Sequence, residues 1–393
     1  MLIVHDYLTQ RGGAERVALD LVRTLPGARL LTSVYDPEGT YPELAGYDVA
    51  VLPLNRVPAF RRDARRALPF LAPAFSLARA DDDVVICSSS GWAHGIRTRG
   101  TKVVYCHNPA RWLYRPEEYL QGQPGWVGLG LRLLRRPLLR WDRAAALRPG
   151  TTYVANSTTV QRRIKAAYGI DAVVIPPPVS IRAGDPQEAV PGIDPGFLLT
   201  VGRARGYKNT GAVCAAMRQM PERRLVVVGE AAGSGGTSGG NVTCLAGVSD
   251  ARLRWLYANA SALVAVAHED FGLTPLEANA MGTPAVVLRR GGYLDSVVEG
   301  LTGVFVDDAE PASIAAGIRR ALAARWDRAA IQAHVDEFRP EVFAKRLLDV
   351  VEQARTGRPA LIDLREPVAT PPAGLPAIDL RDLRDRAPTD PLP

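Results

Sequence analysis

"SALVAVAHEDFGLTPLEANAMGTPAVVL", residues 261–288, is the stretch that decides the fold of this chain. It opens with an apolar run at 261–267 and closes with another at 284–288, and a helical pattern lies between them. Gly272 and Pro275 prevent one continuous helix from crossing the whole stretch. A strand, a helix and a second strand in this order predict one unit of a parallel α/β sheet.

The same alternation recurs along the first 306 residues. Further apolar runs, each followed by a helical pattern or a turn, lie at 2–4, 83–89, 102–107, 151–157, 172–178, 197–202, 224–230 and 302–306. Runs that are apolar throughout are typical of parallel strands covered by helices on both faces. Two such series predict two doubly wound domains, with ligands bound in a cleft at the carboxyl ends of the strands.

A proline-rich segment, 176–195, marks the boundary between the two domains, because it can sustain neither a helix nor a central strand. We therefore predict one Rossmann-like domain over residues 1–178 and another over 179–338. A helix over 339–357 is expected to pack back toward the first domain. Residues 358–393 contain eight prolines and little apolar periodicity, which predicts a disordered tail.

Composition indicates a globular protein of the reduced cytoplasm. Hydrophobic residues make up 47% and charged residues 23% of the 393 residues. The N-terminus lacks the pattern of a signal peptide, and no apolar run reaches the roughly 18 residues of a membrane span. The four cysteines lie far apart without metal-binding spacing, so we expect no metal site and no disulfide framework.

Charge is distributed unevenly along the chain. Residues 1–178 carry 24 Lys and Arg against 15 Asp and Glu, a net charge of +9, while the remainder carries 24 against 26, a net charge of −2. The first half is therefore expected to favour an anionic partner. Because no nucleic-acid-binding module is recognisable, we expect no nucleic acid. The arginine-rich segment 56–66 predicts peripheral contact with an anionic membrane surface, on the inner face.

Glu269 and Glu277 lie eight residues apart across the turn between the strand and the helix. Thr274, Pro275 and Glu277 have the spacing of an N-cap, a first-turn proline and an N3 glutamate, which predicts a capping box. This local role is one explanation of Glu277. Glu269 has no such local role, so its carboxylate is a candidate for ligand binding.

The arrangement Glu269-x7-Glu277 resembles the signature of the retaining family 4 glycosyltransferases, which have the GT-B fold of two Rossmann-like domains facing a central cleft. Other stretches resemble the same family in the same order. They are "RGGAERV" (11–17), "YCHNPARWLY" (105–114), "ANS" (155–157), "VIPPPV" (174–179), "VGRARGYKN" (201–209) and "GGYLDSVVEGLTGVFV" (291–306). The resemblance covers about residues 1–350.

The resemblance implies that the two glutamates hold opposite ends of one nucleotide sugar. Glu277 would accept hydrogen bonds from the ribose hydroxyls, and Glu269 would contact the transferred sugar. Arg203 and Lys208 would bind the diphosphate, whose negative charge as a leaving group needs cationic stabilisation. The donor-binding residues implied in this way are Gly12, Gly13, Arg203, Lys208, Glu269, Phe271, Gly272, Leu273, Thr274 and Glu277.

His107 completes the implied catalytic set with Glu269, Arg203 and Lys208, and it would face the sugar from the acceptor side. Structural explanations stay open at two of the implied positions. A histidine at a strand end can be satisfied locally, and the pair Gly12-Gly13 can be no more than a tight turn between a strand and a helix.

By the same resemblance, the expected activity is a metal-independent retaining hexosyl transfer without a cofactor, from a nucleotide sugar to a glycan or lipid-linked acceptor. No Asp-x-Asp motif follows a predicted strand to hold a metal. "EDFG" (269–272) in place of the commoner "EGFG", together with 105–114, favours mannose from GDP-mannose. The alternatives are a UDP-sugar donor, a nucleotide-sugar epimerase of the same fold and a catalytically silent binder. A nicotinamide enzyme is disfavoured, because no G-x-G-x-x-G follows a predicted strand with an acidic residue about 20 positions later.

Overall fold

The structure is a computed structural model that describes residues 1–25, 27–116, 125–202, 208–229 and 240–357. At residue 65 and over 125–133 it describes the backbone alone. The predicted diphosphate contact of Arg203 and the predicted disordered tail of 358–393 lie outside the described residues.

The strands of the first domain are β1 (Leu2–His5), β2 (Arg29–Thr32), β3 (Val49–Val51), β4 (Arg79–Ala80), β5 (Val84–Ser89), β6 (Arg97–Thr98), β7 (Thr101–Cys106), β8 (Thr151–Ala155) and β9 (Val173–Val174). Among the described residues, seven of these strands form a parallel sheet in the spatial order β3-β2-β1-β5-β7-β8-β9, and β4 pairs separately with β6. The central strands β1 and β5 are buried along their whole length, which is why their sequences do not alternate between apolar and polar residues.

The strands of the second domain are β10 (Leu198–Val201), β11 (Leu225–Val228), β12 (Val242–Leu245), β13 (Ala262–Ala265), β14 (Ala285–Leu288) and β15 (Gly303–Val306). In the part of the chain that the structure describes, these six form a parallel sheet in the order β12-β11-β10-β13-β14-β15. The order of strands reverses between β10 and β13, and in the first sheet it reverses between β1 and β5. Such reversals place a crevice at the carboxyl ends of the strands, where ligands bind in this class of fold.

Helices connect the strands and cover both sheets. They are α1 (Gly13–Thr24), α2 (Pro58–Arg62), α3 (Leu68–Leu77), α4 (Arg111–Tyr114), α5 (Gly125–Ala146), α6 (Thr158–Tyr168), α7 (Thr210–Met217), α8 (Asp250–Asn259), α9 (Leu273–Ala280), α10 (Tyr293–Ser296), α11 (Pro311–Ala323), α12 (Arg328–Val335) and α13 (Pro340–Thr356). Within the described part of the chain, none is both long enough and apolar enough to cross a bilayer.

Each sheet has its own hydrophobic core, so the α/β class with two doubly wound domains is confirmed. The ten apolar runs all contain strands, although several strands are shorter than the run that predicts them. The sequence analysis missed β2, β3 and β12, together with the short β4 and β6. The sequence around β12 is partly polar and the strand is only partly buried, so it lacks the continuous apolar signal.

The last helix, α13, leaves the second domain and packs against the first sheet. The ring of Phe343 meets the ring of Tyr105 in β7 edge-on, with 5.2 Å between the centroids. The hydroxyl of Tyr105 donates a hydrogen bond of 3.0 Å to the carbonyl of Ile175, just after β9. These contacts anchor the end of the described chain to the centre of the first domain.

Candidate functional site

The loop after β13 enters the cleft and leads into α9. Gly272 is the N-cap of this helix, at φ 86°, and it makes no side-chain cap hydrogen bond. The predicted capping box of Thr274, Pro275 and Glu277 is therefore wrong: the helix starts at Leu273, so Thr274 already lies in its first turn. A Cβ at position 272 would collide with the Tyr293 ring, and the positive φ also favours glycine.

A second glycine pair, Gly291 and Gly292 before α10, packs against the backbone of this loop. The backbone N–H of Gly292 donates a 3.0 Å hydrogen bond to the carbonyl of Glu269. A Cβ at Gly291 would collide with the same carbonyl, and one at Gly292 would collide with the backbone of Phe271. The sequence analysis noted the stretch 291–306 only as a family landmark. The two adjacent glycines before α10 were the signal for this close backbone approach.

Lys208 and Glu269 lie together where β10 and β13 end. The Lys208 Nζ forms a salt bridge with Glu269 Oε1, and each side chain is 20% exposed. Asn209, at φ 53°, begins α7 and donates a 2.8 Å hydrogen bond from Nδ2 to the Val266 carbonyl. This bond ties the segment that carries Lys208 to the end of β13. The structure thus brings together the residue implied for the diphosphate and the residue implied for the sugar.

Glu277 is held by a tyrosine rather than by a helix cap. The hydroxyl of Tyr257 donates a 2.7 Å hydrogen bond to Glu277 Oε2. Burial raises the pKa of Glu277, while the Tyr257 hydrogen bond and the charges of Arg16 and Lys208 act in the opposite direction. Arg16 belongs to α1 of the first domain, so both domains contribute charge around this carboxylate. Tyr257 was missed by the sequence analysis.

The glycine pair after β1 faces the loop of the second domain. Gly12 is the N-cap of α1, and a Cβ at Gly13 would lie 3.5 Å from Leu273 Cδ1. Because glycine has no side chain, the start of α1 can lie close to the start of α9. Backbone of the first domain can approach a ligand that lies on the loop 269–273. This placement is what the implied donor role of Gly12 and Gly13 requires.

His107 directly follows β7 and joins a buried chain of three side chains. The Ser88 Oγ lies 2.8 Å from His107 Nε2 and 3.0 Å from His5 Nδ1. Burial lowers the pKa of His107 to about 4, and burial together with the neighbouring His107 lowers the pKa of His5 to about 3. Both rings are therefore neutral at pH 7. Ser88, at the end of β5, is the connecting residue that the sequence analysis missed.

Asp6 is buried and supports the same edge of the first sheet. Its carboxylate accepts backbone N–H hydrogen bonds from Ser90 at 2.6 Å, Trp92 at 3.2 Å and Ala93 at 2.6 Å. Burial raises the pKa of Asp6 to about 6 despite these three donors. The carboxylate thereby fixes the turn after β5, next to Ser88.

Asp270 and Asp295 join the second domain to the first. Asp270 accepts hydrogen bonds from Asn108 Nδ2 at 3.0 Å and from the guanidinium groups of Arg111 and Arg163. Burial alone would raise the pKa of Asp270, but the two arginines outweigh it and lower the pKa. Asp295 accepts from both the backbone N–H and the hydroxyl of Thr158, at 3.0 Å each. The aspartate of "EDFG" therefore binds the first domain.

Two family sequence models match consecutive parts of the chain. The model described as Glycosyltransferase Family 4 matches residues 11–182, and the model described as Glycosyl transferases group 1 matches residues 185–337. The chain belongs to the family 4 glycosyltransferases. The resemblance inferred from the glutamate pair and its accompanying motifs is thereby confirmed.

Curated relatives match part of the chain. This chain is 34% identical over 236 residues to a D-inositol 3-phosphate glycosyltransferase of Segniliparus rotundus, and the aligned region covers 52% of this chain and 52% of that protein. It is 35% identical over 202 residues to the protein of the same name from Acidothermus cellulolyticus, covering 43% and 45%. The matched region thus spans about half the length of these curated relatives.

Solved structures confirm the GT-B fold that this family predicts. The Anabaena protein HepE in complex with UDP superposes with a TM-score of 0.64 at 17% identity, over 90% of this chain and 99% of that one. Sucrose-phosphate synthase from Thermosynechococcus elongatus superposes with a TM-score of 0.65 at 18% identity, over 91% and 99%. At this level of identity the likeness supports the fold alone.

Proposed function

We propose that this chain is a metal-independent retaining hexosyltransferase that moves a sugar from a nucleotide-sugar donor to a glycan or lipid-linked acceptor. The observation that carries the proposal is the salt bridge of Lys208 with Glu269, located where the strand order of the second sheet reverses. A lysine and a carboxylate in a cleft at that point have the chemistry to bind a diphosphate and a sugar hydroxyl, respectively.

Donor binding would rearrange the salt bridge rather than fill an empty site. A diphosphate carries two to three negative charges and competes with one carboxylate for the Lys208 ammonium. Glu269 is then released to accept hydrogen bonds from the transferred sugar. Glu277, already oriented by the Tyr257 hydroxyl, accepts from the ribose. Arg203 is proposed to bind the diphosphate beside Lys208.

We propose a single-step transfer, in which retention requires attack on the face of the sugar from which the diphosphate leaves; two successive inversions through a covalent glycosyl-enzyme are the other route to retention. The bond between the anomeric carbon and the phosphate oxygen breaks as the acceptor oxygen bonds to that carbon. The acceptor proton passes to the departing phosphate oxygen, and Lys208 offsets the charge that develops there. His107 is neutral, so it adds no positive charge beside the developing cation, and its ring orients hydroxyls on the acceptor side.

GDP-mannose is the donor that we propose first, on sequence resemblance alone. The resemblance lies in "EDFG" (269–272) together with 105–114, and Asp270 of the first stretch contacts Arg111 and Arg163 of the first domain. A UDP-sugar is the alternative, since HepE of the same fold is solved in complex with UDP and with UDP-glucose.

The acceptor is proposed to be reached at an anionic membrane on the inner, cytoplasmic face. Arg61 and Arg62 of α2 and the following Arg66 are all exposed. Nearby, the side chains of Phe70 and Leu77 in α3 are 50% and 82% exposed. Exposed arginines beside exposed apolar side chains are typical of a surface that lies on anionic lipid.

A thermal-shift panel tests the proposed function. GDP-mannose, UDP-glucose and UDP-N-acetylglucosamine are added in turn, each with and without a chelator. Ligand at a hundredfold excess over its Kd stabilises the folded state by about 2.7 kcal/mol, which is readily measured. We expect the largest shift with GDP-mannose. A shift with a UDP-sugar alone would replace the donor, and no shift with any nucleotide sugar would reject the function. Turnover of donor without an acceptor requirement, giving free sugar, would favour the epimerase.

A further inference from the structure

Ser88 lies between two histidines on neighbouring strands of the first sheet. In the register of the sheet, His5 of β1 is opposite Ser88 of β5, and Ser88 is opposite Tyr105 of β7. Paired residues of parallel strands point to the same face, so these side chains form one row across the sheet. His107 follows two positions after Tyr105, and the two rings meet edge-on with 5.4 Å between their centroids. The row therefore leads to the histidine of the proposed site.

The hydroxyl of Ser88 joins the two histidine rings. Its Oγ lies 3.0 Å from His5 Nδ1 and 2.8 Å from His107 Nε2. Among the residues that the structure describes, these two rings are its only hydrogen-bond partners. The side chain is fully buried, so bulk solvent does not compete for the hydroxyl.

The single proton of this hydroxyl restricts both rings. Each ring is neutral at pH 7, and a neutral imidazole donates from one nitrogen and accepts at the other. If His107 donates from Nε2, the Ser88 hydroxyl donates to His5 Nδ1, and both rings carry their proton on Nε2. If His5 donates from Nδ1, the hydroxyl donates to His107 Nε2, and both rings carry their proton on Nδ1. Any other combination leaves one of the two hydrogen bonds unmade, so the two histidines are expected to have the same tautomer.

The backbone of His107 is fixed as well as its ring. Its N–H donates a 2.9 Å hydrogen bond to the Ser89 carbonyl, and its own carbonyl accepts one of 3.2 Å from Asn156 Nδ2. With Nε2 bound to Ser88, the orientation of the ring is set. Within the described part of the chain Nδ1 makes no hydrogen bond, so it is the nitrogen left for a ligand.

We propose that Ser88 and His5 are positioning residues for transfer. Through the Ser88 hydroxyl they hold the His107 ring in one orientation and one tautomer, so that Nδ1 meets a substrate hydroxyl in a fixed hydrogen-bonding role. Both residues act through His107. The inference rests on the proposed function only in assigning that hydroxyl to a substrate of transfer. A ring that is oriented before the substrates bind needs less reorganisation in the transition state.

NMR of protein labelled with ¹⁵N at histidine tests the coupling without any substrate. The chain has five histidines, and variants at His5 and His107 assign the two signals. We expect both rings to be neutral and to have the same tautomer, and opposite tautomers in the wild type would overturn the proposal. Ser88→Ala should change the His107 signals, and unchanged signals would also overturn it.

Ser89→Ala is the matched control. Ser89 is a buried serine next to Ser88 in β5, and its hydroxyl accepts a 3.1 Å hydrogen bond from the backbone N–H of Gly91. Successive side chains of a strand point to opposite faces, so this variant should leave the tautomer of His107 unchanged. If Ser89→Ala alters the His107 signals as much as Ser88→Ala does, the effect is a general disturbance of β5 and the proposal is wrong.

Steady-state kinetics separate a positioning role from a structural one. Ser88→Ala should lower kcat about tenfold or more and change KM for the donor less than about threefold, because the misplaced ring acts in the transition state. Ser88→Thr keeps the hydroxyl and should retain kcat within about threefold. Unaltered kcat in Ser88→Ala would overturn the proposal, and so would an equal loss in Ser88→Thr at an unchanged melting temperature.

A pair of His5 variants keeps the test decisive where a Ser88 variant fails to fold. His5→Phe removes the partner of the Ser88 hydroxyl and should lower kcat as Ser88→Ala does. His5→Asn places an amide, which both donates and accepts, near the position of Nδ1, so its kcat should be about fivefold higher than that of His5→Phe. Equal loss in both variants at an unchanged melting temperature would contradict the proposal. If the wild type transfers sugar from no donor, the proposed function fails and the NMR spectra still decide the coupling.

Discussion

Replacing Lys208 with methionine should separate the stability of the cleft from its catalysis. Methionine keeps the unbranched aliphatic character and most of the length of the side chain and removes the charge. Glu269 then stays in the cleft as a largely buried carboxylate without its lysine. We expect loss of both stability and transfer. In the double variant Lys208→Met/Glu269→Gln, both charges of this pair are removed, so stability should return while transfer stays low.

The magnitudes follow from the exposure of the pair. At 20% exposure each, Lys208 and Glu269 lie between an exposed pair, worth about 0–1 kcal/mol, and a buried pair, whose disruption costs about 3–5 kcal/mol. We therefore expect Lys208→Met to lower the free energy of unfolding by about 1–2 kcal/mol. Removing a cationic donor from a leaving group should lower kcat/KM by about 10²-fold or more.

Urea unfolding and steady-state transfer kinetics measure the two effects on the same preparations. The exposed pair of Lys165 and Asp171 in the first domain supplies the control, because Lys165→Met should change neither quantity. If the double variant recovers transfer together with stability, Lys208 has a structural role only and the diphosphate assignment is refuted.

Three further predictions concern the other charged groups of the molecule. The folded-state pKa of Asp270 is depressed, so its contribution to stability is present above its ordinary pKa of 3.8 and is lost as the pH falls through the folded value. In urea unfolding, Asp270→Asn should therefore have a lower free energy of unfolding than the wild type at pH 7, and this difference should vanish in acid; an equal difference at pH 2 would contradict the prediction. The pKa of Glu277 is raised above 4.5, so ionisation of its carboxylate costs stability as the pH rises through that region. Glu277→Gln should therefore unfold at pH 7 no more easily than the wild type, yet bind nucleotide more weakly in calorimetry; a clear loss of stability would favour the helix-capping role of Glu277 instead. Reversing Arg61, Arg62 and Arg66 to glutamate should release the protein from anionic vesicles in a sedimentation assay, with the wild type released by high salt; continued sedimentation of the variant would place the membrane contact elsewhere.

The sequence by itself determined the class of fold and the identity of the family. Runs such as 261–267 and 284–288 are apolar along their whole length, and this local property exists before any tertiary contact forms. The glutamate spacing and each glycine pair are also local features, because each motif lies within a few residues of sequence. They located the loop after β13 and the turn after β1, which the structure places opposite each other through Leu273 and Gly13.

Only the tertiary structure decided which partner each charged group has. Glu277 has the spacing of a capping residue, yet Gly272 is the N-cap of the helix. The hydroxyl of Tyr257, twenty residues away in sequence, donates a hydrogen bond to the Glu277 carboxylate. Asp270 meets Arg111, 159 residues distant in sequence. Neither pair leaves a local signal, because Tyr257 reaches Glu277 through the packing of α8 beside α9 and Asp270 reaches Arg111 across the cleft between the two domains. Hydrophobic periodicity specifies the sheets, whereas the approach of their edges selects the ion pairs.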